Sequence, residues 1–159
     1  MVQVLFVCLG NICRSPMAEA IFRNQVGQAG LTDQIQIDSA ATGTWNLNKS
    51  PHEGTRTLLT SRQISTEGMI SRLITQEDML TADYIVVMDD HNLRDVSSFC
   101  DEAQLTPKGT ITLLLDYWPE QSVRIVPDPY YTGDFEETYQ LVSEGCQRLL
   151  ASIRAKHQL

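Results

Sequence analysis

The sequence is short of positive charge: 12 lysines and arginines stand against 20 aspartates and glutamates, a formal net charge of −8. That balance gives no general attraction to nucleic acid or to an anionic membrane, so any pull on an anionic ligand has to be local. Long apolar runs are absent too. No segment approaches the ~20 residues of a membrane span, and the N-terminus has no basic region leading into a signal-type apolar stretch and cleavage site. The expectation is a cytoplasmic protein with no nucleic-acid and no membrane partner. Repeats, low-complexity tracts and linkers are also missing. With 42% hydrophobic and 20% charged residues, the 159-residue chain reads as one domain, 1–159, long enough to bury its own core.

Cysteines number only four. Without a signal peptide they argue against a secreted disulfide scaffold. Cys8 and Cys13 share one loop but have neither the Cys-x2-Cys spacing nor the histidine partners of a common zinc site, and no metal is expected. Cys100 and Cys146 read as small buried residues without chemistry. The histidines, His52, His91 and His157, fall in no motif and read as surface residues.

What the chain does carry is concentrated in Cys8-Leu9-Gly10-Asn11-Ile12-Cys13-Arg14-Ser15, a Cys-x5-Arg loop between an apolar run (Val2 to Val7) and Ser15-Pro16. The order is strand, anion loop, helix start. A helix N-terminus offers unpaired N–H groups and a positive dipole end, so such a loop can surround a phosphate with backbone donors from Leu9 to Arg14. Cys8 then sits beneath the anion, where Arg14 and the amides favour its thiolate, the nucleophilic form. Arg14 can pair two phosphate oxygens through its planar fork. Ser15 reads both as the helix N-cap, with Pro16 at the first helical position, and as a donor to the Cys8 sulfur.

Further along, the pattern alternates strands and helices. A helix is predicted from Pro16 to about Ala29, with Gly30 as its stop. Ile35 and Ile37 alternate with polar residues into Asp38-Ser39-Ala40-Ala41-Thr42, a second strand. Helices follow over Thr55 to Ser61 and from Thr75-Gln76-Glu77-Asp78, and Tyr84 to Met88 forms a third strand ending at Asp89 and Asp90. Ile111 to Leu115 is apolar but too short to assign from periodicity. Phe135, Tyr139, Val142, Cys146, Leu149, Leu150 and Ile153 recur at helical spacing behind Asp134, a candidate N-cap. The whole implies an α/β protein with a doubly covered parallel sheet whose ligand site lies beyond the strands' carboxyl ends, where the Cys8, Ser39 and Asp89 loops converge.

A phosphomonoester also needs a proton for its leaving oxygen. Val126-Pro127-Asp128-Pro129-Tyr130-Tyr131 offers a carboxyl group on a proline-stiffened loop, with two tyrosines able to line a cleft; alone, Asp-Pro is also a common turn signal.

With these motifs assembled, the chain resembles the low-molecular-weight protein tyrosine phosphatases over nearly its whole length. The resemblance is most specific in Val7 to Pro16 with Ala18-Glu19-Ala20, in Asp38 to Thr42, in Met88-Asp89 with Asn92-Leu93-Arg94, and in Asp128-Pro129-Tyr130-Tyr131. It implies a three-layer sandwich, a central four-stranded parallel sheet flanked by helices with the phosphate-binding loop after the first strand. It further implies hydrolysis of phosphotyrosine in proteins, without cofactor or metal, by a monomer or weak dimer. Cys8 becomes phosphocysteine, Arg14 binds phosphate, and Asp128 acts as acid and then base. Leu9, Gly10, Asn11, Ile12, Cys13 and Ser15 surround the phosphate, and Ser39 with Asn11 supports the loop. Trp45, Asp89, Tyr130 and Tyr131 line the substrate cleft; Trp45 packed inward is the alternative. Cys13 is the resolving thiol for an oxidised Cys8. Met69 stands where many members carry a histidine behind the anion loop, which predicts an altered buried polar network.

Three other readings share these residues. An arsenate reductase of the same fold needs a cysteine pair near the third strand, where only Cys100 lies. A protein-arginine phosphatase carries threonine at the position of Ile12. A phosphoryl carrier would use Cys8 and Arg14 but leaves Asp128 unexplained.

Overall fold

The computed structural model describes residues 1–159. Strands β1 (Val2–Cys8), β2 (Ile35–Ala41), β3 (Tyr84–Val87) and β4 (Thr110–Leu113) make one sheet in the order β2-β1-β3-β4, every pairing parallel. Six α-helices accompany them: α1 (Arg14–Gln28), α2 (Glu53–Ser61), α3 (Gln76–Thr81), α4 (Asp90–Glu102), α5 (Pro129–Thr132) and α6 (Phe135–His157).

Side chains alternate across a strand, and β1 shows what that does here. Val4 and Phe6 face a core shared with Met17, Ile21 and Phe22 of α1 and Val142, Leu149 and Ile153 of α6. Leu5 and Val7 face the opposite core, built with Met79 of α3 and Val96 and Cys100 of α4. The result is the three-layer α/β sandwich expected. Because both faces are covered, β1 and β3 are almost wholly buried, which explains their unbroken apolar runs.

The chain leaves β1 toward β2 on one side and returns to β3 on the other, so β1 is the switch point of the sheet. Register aligns Cys8 with Ala41 and Val7 with Val87, bringing three strand ends level. Loops leaving that edge share one crevice, where open α/β sheets place their ligands.

Several boundaries differ from the sequence-based expectation. Helix α1 begins at Arg14 with Cys13 as its N-cap, so Ser15 lies inside the first turn and its hydroxyl is spent on the loop instead of on a cap. Its end is as expected: Gly30 takes φ +71°, with Gly30 N–H donating to the Gly27 carbonyl and Leu31 N–H to that of Val26, the Schellman arrangement. Helix α2 starts at Glu53, ahead of Thr55, because His52 Nδ1 accepts from Gly54 N–H and caps it. His52 is half-buried and stacks on Phe135 at 5.2 Å, so it is not the free surface residue expected. The undecided run from Ile111 divides into β4 and a 3-10 turn, Leu114–Tyr117. Asp134 does cap α6, accepting from Glu137 N–H at 2.9 Å.

Candidate active site

Cys8 ends β1, and the chain turns around it before Arg14 opens α1. Asn11 makes that turn at φ +56°, in the left-handed region where asparagine is among the better-tolerated residues. The loop is tied down on both sides: Thr42 N–H donates to the Cys8 carbonyl, Gly43 N–H to that of Leu9, and His52 N–H to that of Ile12 at 2.7 Å. Two groups approach the sulfur. Asn11 N–H lies 3.3 Å from Cys8 Sγ and Ser15 Oγ 3.1 Å from it.

Arg14 is almost entirely buried, yet it stays a cation because carboxylates surround it. Its Nη1 donates to Asp89 Oδ2 at 2.6 Å and to the Val126 carbonyl at 3.0 Å, and its Nη2 donates to Asp128 Oδ2 at 3.2 Å. Its buried Nε has no partner in the protein. Burial alone would weaken its charge, but Cys8, the Asp89 hydrogen bond and Asp128 outweigh that and raise the guanidinium above its ordinary value. A buried donor left unpaired is unfavourable, so Nε is a group that could pair with an anionic ligand.

Asp128 comes from the far end of the chain. It caps the short helix α5, Oδ1 accepting from Tyr130 N–H at 3.0 Å, which leaves Oδ2 facing Arg14. Cys8, Arg14 and Asp128 thus border one cleft of about 400 Å³, with Leu9, Ile12, Trp45, Tyr130 and Tyr131 as apolar walls. Trp45 and Tyr131 are 73% and 77% exposed, so both stand at the rim, and Trp45 is not packed inward. The Trp45 ring lies over Gly43, where a Cβ would fall 2.3 Å from it. Asp89 is not among the cleft's walls. Its carboxylate caps α4 through Asn92 N–H and grips Arg14.

Behind the loop, Asn11 Nδ2 donates to Ser15 Oγ at 2.7 Å and to Ser39 Oγ at 2.9 Å, and Ser39 Oγ donates to Glu19 Oε1 at 2.6 Å. Met69 brings no polar atom to this chain, and Glu19 closes it. Burial raises the Glu19 carboxyl above its ordinary value, against the hydrogen bonds from Ser39 and Arg23. Sequence reasoning quoted Glu19 within the Ala18-Glu19-Ala20 segment of the resemblance but assigned it no role. Asn46, also unassigned, lines the cleft. Cys13 is buried, and burial, then Cys8 and Asp128, push its thiol up to about 12. Cys100 and Cys146 are buried in the two cores, as expected.

Comparison with known proteins agrees with this geometry. The sequence signature described as low molecular weight phosphotyrosine protein phosphatase matches residues 3–159. The chain is 48% identical over 159 residues to the low molecular weight protein-tyrosine-phosphatase YfkJ of Bacillus subtilis, covering all of both chains. It is 44% identical over 150 residues to PtpA of Staphylococcus aureus, covering 94% of this chain and 92% of that one. The crystal structure of YfkJ superimposes with a TM-score of 0.93 at 47% identity, covering 98% of this chain and 96% of the other. A Drosophila arginine phosphatase superimposes at 0.90 with 33% identity, covering 96% and 98%.

Proposed function

The chain is an enzyme of the low molecular weight protein-tyrosine-phosphatase family, and on that premise we propose that it hydrolyses phosphotyrosine in proteins, and small aryl phosphates, through a phosphocysteine on Cys8. The observation that carries this reading is the convergence of Cys8, Arg14 and Asp128, drawn from opposite ends of the chain, on one aromatic-rimmed cleft.

In the first step the Cys8 sulfur attacks phosphorus, the bond to the tyrosyl oxygen breaks, and Asp128 delivers its proton to the departing phenolate. A free phenol ionises near ~10, so the proton has real leverage on that departure. The loop amides and Arg14 Nε hold the charge on the transferring group, and the guanidinium arm now on Asp128 completes a two-pronged grip. In the second step water attacks phosphorus, Asp128 takes its proton, and the S–P bond breaks, with the electron pair returning to sulfur beside Ser15 Oγ. Trp45, Tyr130 and Tyr131 sandwich the aryl ring and meet the flanking peptide.

Cys13 protects this nucleophile. When peroxide converts Cys8 to a sulfenic acid, the Cys13 thiol condenses with it, releasing water and leaving a Cys8–Cys13 disulfide that thiols reduce. A Cys13→Ser variant that recovers as fully as wild type after peroxide and thiol treatment overturns that role. The enzyme acts as a monomer or weak dimer in the cytoplasm.

The primary test is initial phosphate release from matched phosphotyrosyl, phosphoseryl and phosphoarginyl peptides, with reductant present, for wild type and Cys8→Ser. Turnover of the phosphotyrosyl peptide alone, abolished in the variant, is the expected result. Preference for phosphoarginine would overturn the substrate, and a single stoichiometric burst would identify a carrier.

A further inference from the structure

Asp128 rides on a segment that its own hydrogen bonds do not anchor. Every hydrogen bond made by residues 129–134 closes within residues 128–138: Tyr130 N–H on Asp128 Oδ1, Tyr131 and Thr132 N–H on the Asp128 carbonyl, Gly133 N–H on that of Pro129, and Asp134 N–H on Thr132 Oγ1. Helix α5 is a single turn, ended by Gly133 at φ +72°. The Asp128 side chain has one tie outside the segment, Arg14 Nη2 at 3.2 Å, and on the mechanism proposed above a bound phosphate takes that arm.

His52 supplies the support that the hydrogen bonds do not. Its ring stacks on Phe135, with centroids 5.2 Å and planes 23° apart, and meets Tyr130 edge to face at 6.1 Å and 81°. Tyr130 follows Asp128 by two residues and Phe135 opens α6, so one imidazole holds the acid loop near its start and at its end. Gly54 makes the stack possible, since a Cβ there would fall 2.4 Å from the Phe135 ring. The angle of the imidazole is set by its Nδ1, which accepts from Gly54 N–H at 3.0 Å. On its other side His52 belongs to the anion loop, its N–H donating to the Ile12 carbonyl at 2.7 Å. His52 does not line the cleft, so whatever it does there acts through the loops it joins.

We propose that His52 is a positioning residue for proton transfer by Asp128: its ring clips Tyr130 and Phe135 to the anion loop and so keeps the carboxyl group beside the leaving oxygen once Arg14 turns to the phosphate. This rests on Asp128 being the acid. A displaced acid slows the reaction most where the leaving group most needs its proton.

The test is kcat/KM, which covers the step in which the phenol departs, for phenyl phosphate and for nitrophenyl phosphate. His52→Asn keeps an acceptor for Gly54 N–H, and with it the α2 cap, but removes the ring; His52→Phe keeps a ring and drops the cap. His52→Asn is expected to lower the phenyl phosphate value about tenfold and the nitrophenyl phosphate value at most about twofold. His52→Phe is expected to hold the ratio of the two within about twofold of wild type, whatever it loses in urea unfolding. With Asp128→Asn in place, His52→Asn leaves the ratio unchanged, because both act through one proton. No loss or equal losses on the two substrates in His52→Asn, the same bias in His52→Phe, or a further fall of the ratio in the Asp128→Asn background would overturn the proposal. If His52→Asn does not fold by circular dichroism, Phe135→Leu takes the stacked ring away from the other side and is held to the same ratio. An Asp128→Asn variant that itself loses equally on both substrates would instead sink the acid assignment, and the clip with it.

Discussion

Replacing Asp89 by asparagine separates the two tasks of one carboxylate. Oδ1 accepts from Asn92 N–H at 2.8 Å and caps α4, while Oδ2 receives Arg14 Nη1 at 2.6 Å. Asparagine keeps an oxygen for the cap, so α4 should hold. Toward Arg14 it presents an NH2, donor against donor, and the guanidinium cannot escape by losing its proton. Removing one partner of a buried ion pair typically costs about 3–5 kcal/mol. Arg14 keeps the Val126 carbonyl and Asp128, and the Asp89 side chain is 18% exposed, so about 2 kcal/mol is expected here. If that loss falls on the placement of Arg14 around the transferring phosphoryl group, kcat/KM drops about 30-fold, mostly in kcat. Asp89→Ala supplies the control: it loses the cap as well, and about 1 kcal/mol of further stability with it, but no further activity. The assay is steady-state hydrolysis of an aryl phosphate alongside urea unfolding of the three proteins. Asp89→Asn within threefold of wild type, or an activity loss that tracks unfolding free energy across the two variants, would refute the assignment of Asp89 as the anchor of Arg14.

Asp128→Asn is expected to lower kcat about 10²–10³-fold, more for phenyl phosphate than for nitrophenyl phosphate, whose leaving group needs less help; equal losses on both would remove Asp128 as the acid. Gly109→Ala would put a Cβ 2.0 Å from the Asp83 carbonyl oxygen, a backbone atom with no room to yield, and is expected to lose about 3 kcal/mol in urea unfolding. An unchanged midpoint would refute that packing. Asp78 is raised by burial but taken below its ordinary 3.8 by the Arg72 guanidinium and the Thr75 amide and hydroxyl. Its contribution is therefore complete above 3.8 and disappears as the pH falls through its lower folded value. The advantage of wild type over Asp78→Asn in unfolding free energy should be constant down to about pH 5 and shrink below about pH 4; an advantage undiminished at about pH 2.5 would contradict the ion pair.

What could be read in the sequence was what is local. The apolar run into Cys8, the Gly30 stop and the Asp134 cap are set by residues within a turn or two of each other, and the structure has them as expected. The errors share one cause. Ser15 satisfies every local rule for an N-cap, but its hydroxyl is claimed by Asn11 and Cys8, so the helix starts two residues earlier with no side-chain cap. His52 looked unemployed because its partners, Gly54 and Phe135, lie on a loop-to-helix junction and on another helix. Glu19 was left without a role for a stronger reason. A glutamate in a helix is ordinarily solvated, and only the fold brings β2 and its Ser39 hydroxyl within reach.

The charges of the cleft carry one more consequence. On the roles proposed above, the Cys8 thiolate and the Asp89 and Asp128 carboxylates face a single guanidinium, so the site is net negative within a chain already at −8. The helix N-terminus offsets only about half a charge. A phosphate dianion adds to that negative charge, so a proton taken up by the site favours its capture. On the roles proposed above, one proton belongs on Asp128, bound for the phenolate. That same proton weakens the longer of the two arginine contacts, Nη2 to Asp128 at 3.2 Å, and leaves the shorter one, Nη1 to Asp89 at 2.6 Å, intact. Arming the acid therefore frees the arm of Arg14 that the phosphate needs, while Asp89 keeps the other arm fixed. An acidic protein can in this way take a doubly charged substrate without a basic surface, because the selectivity lies in which carboxylate gives up the guanidinium.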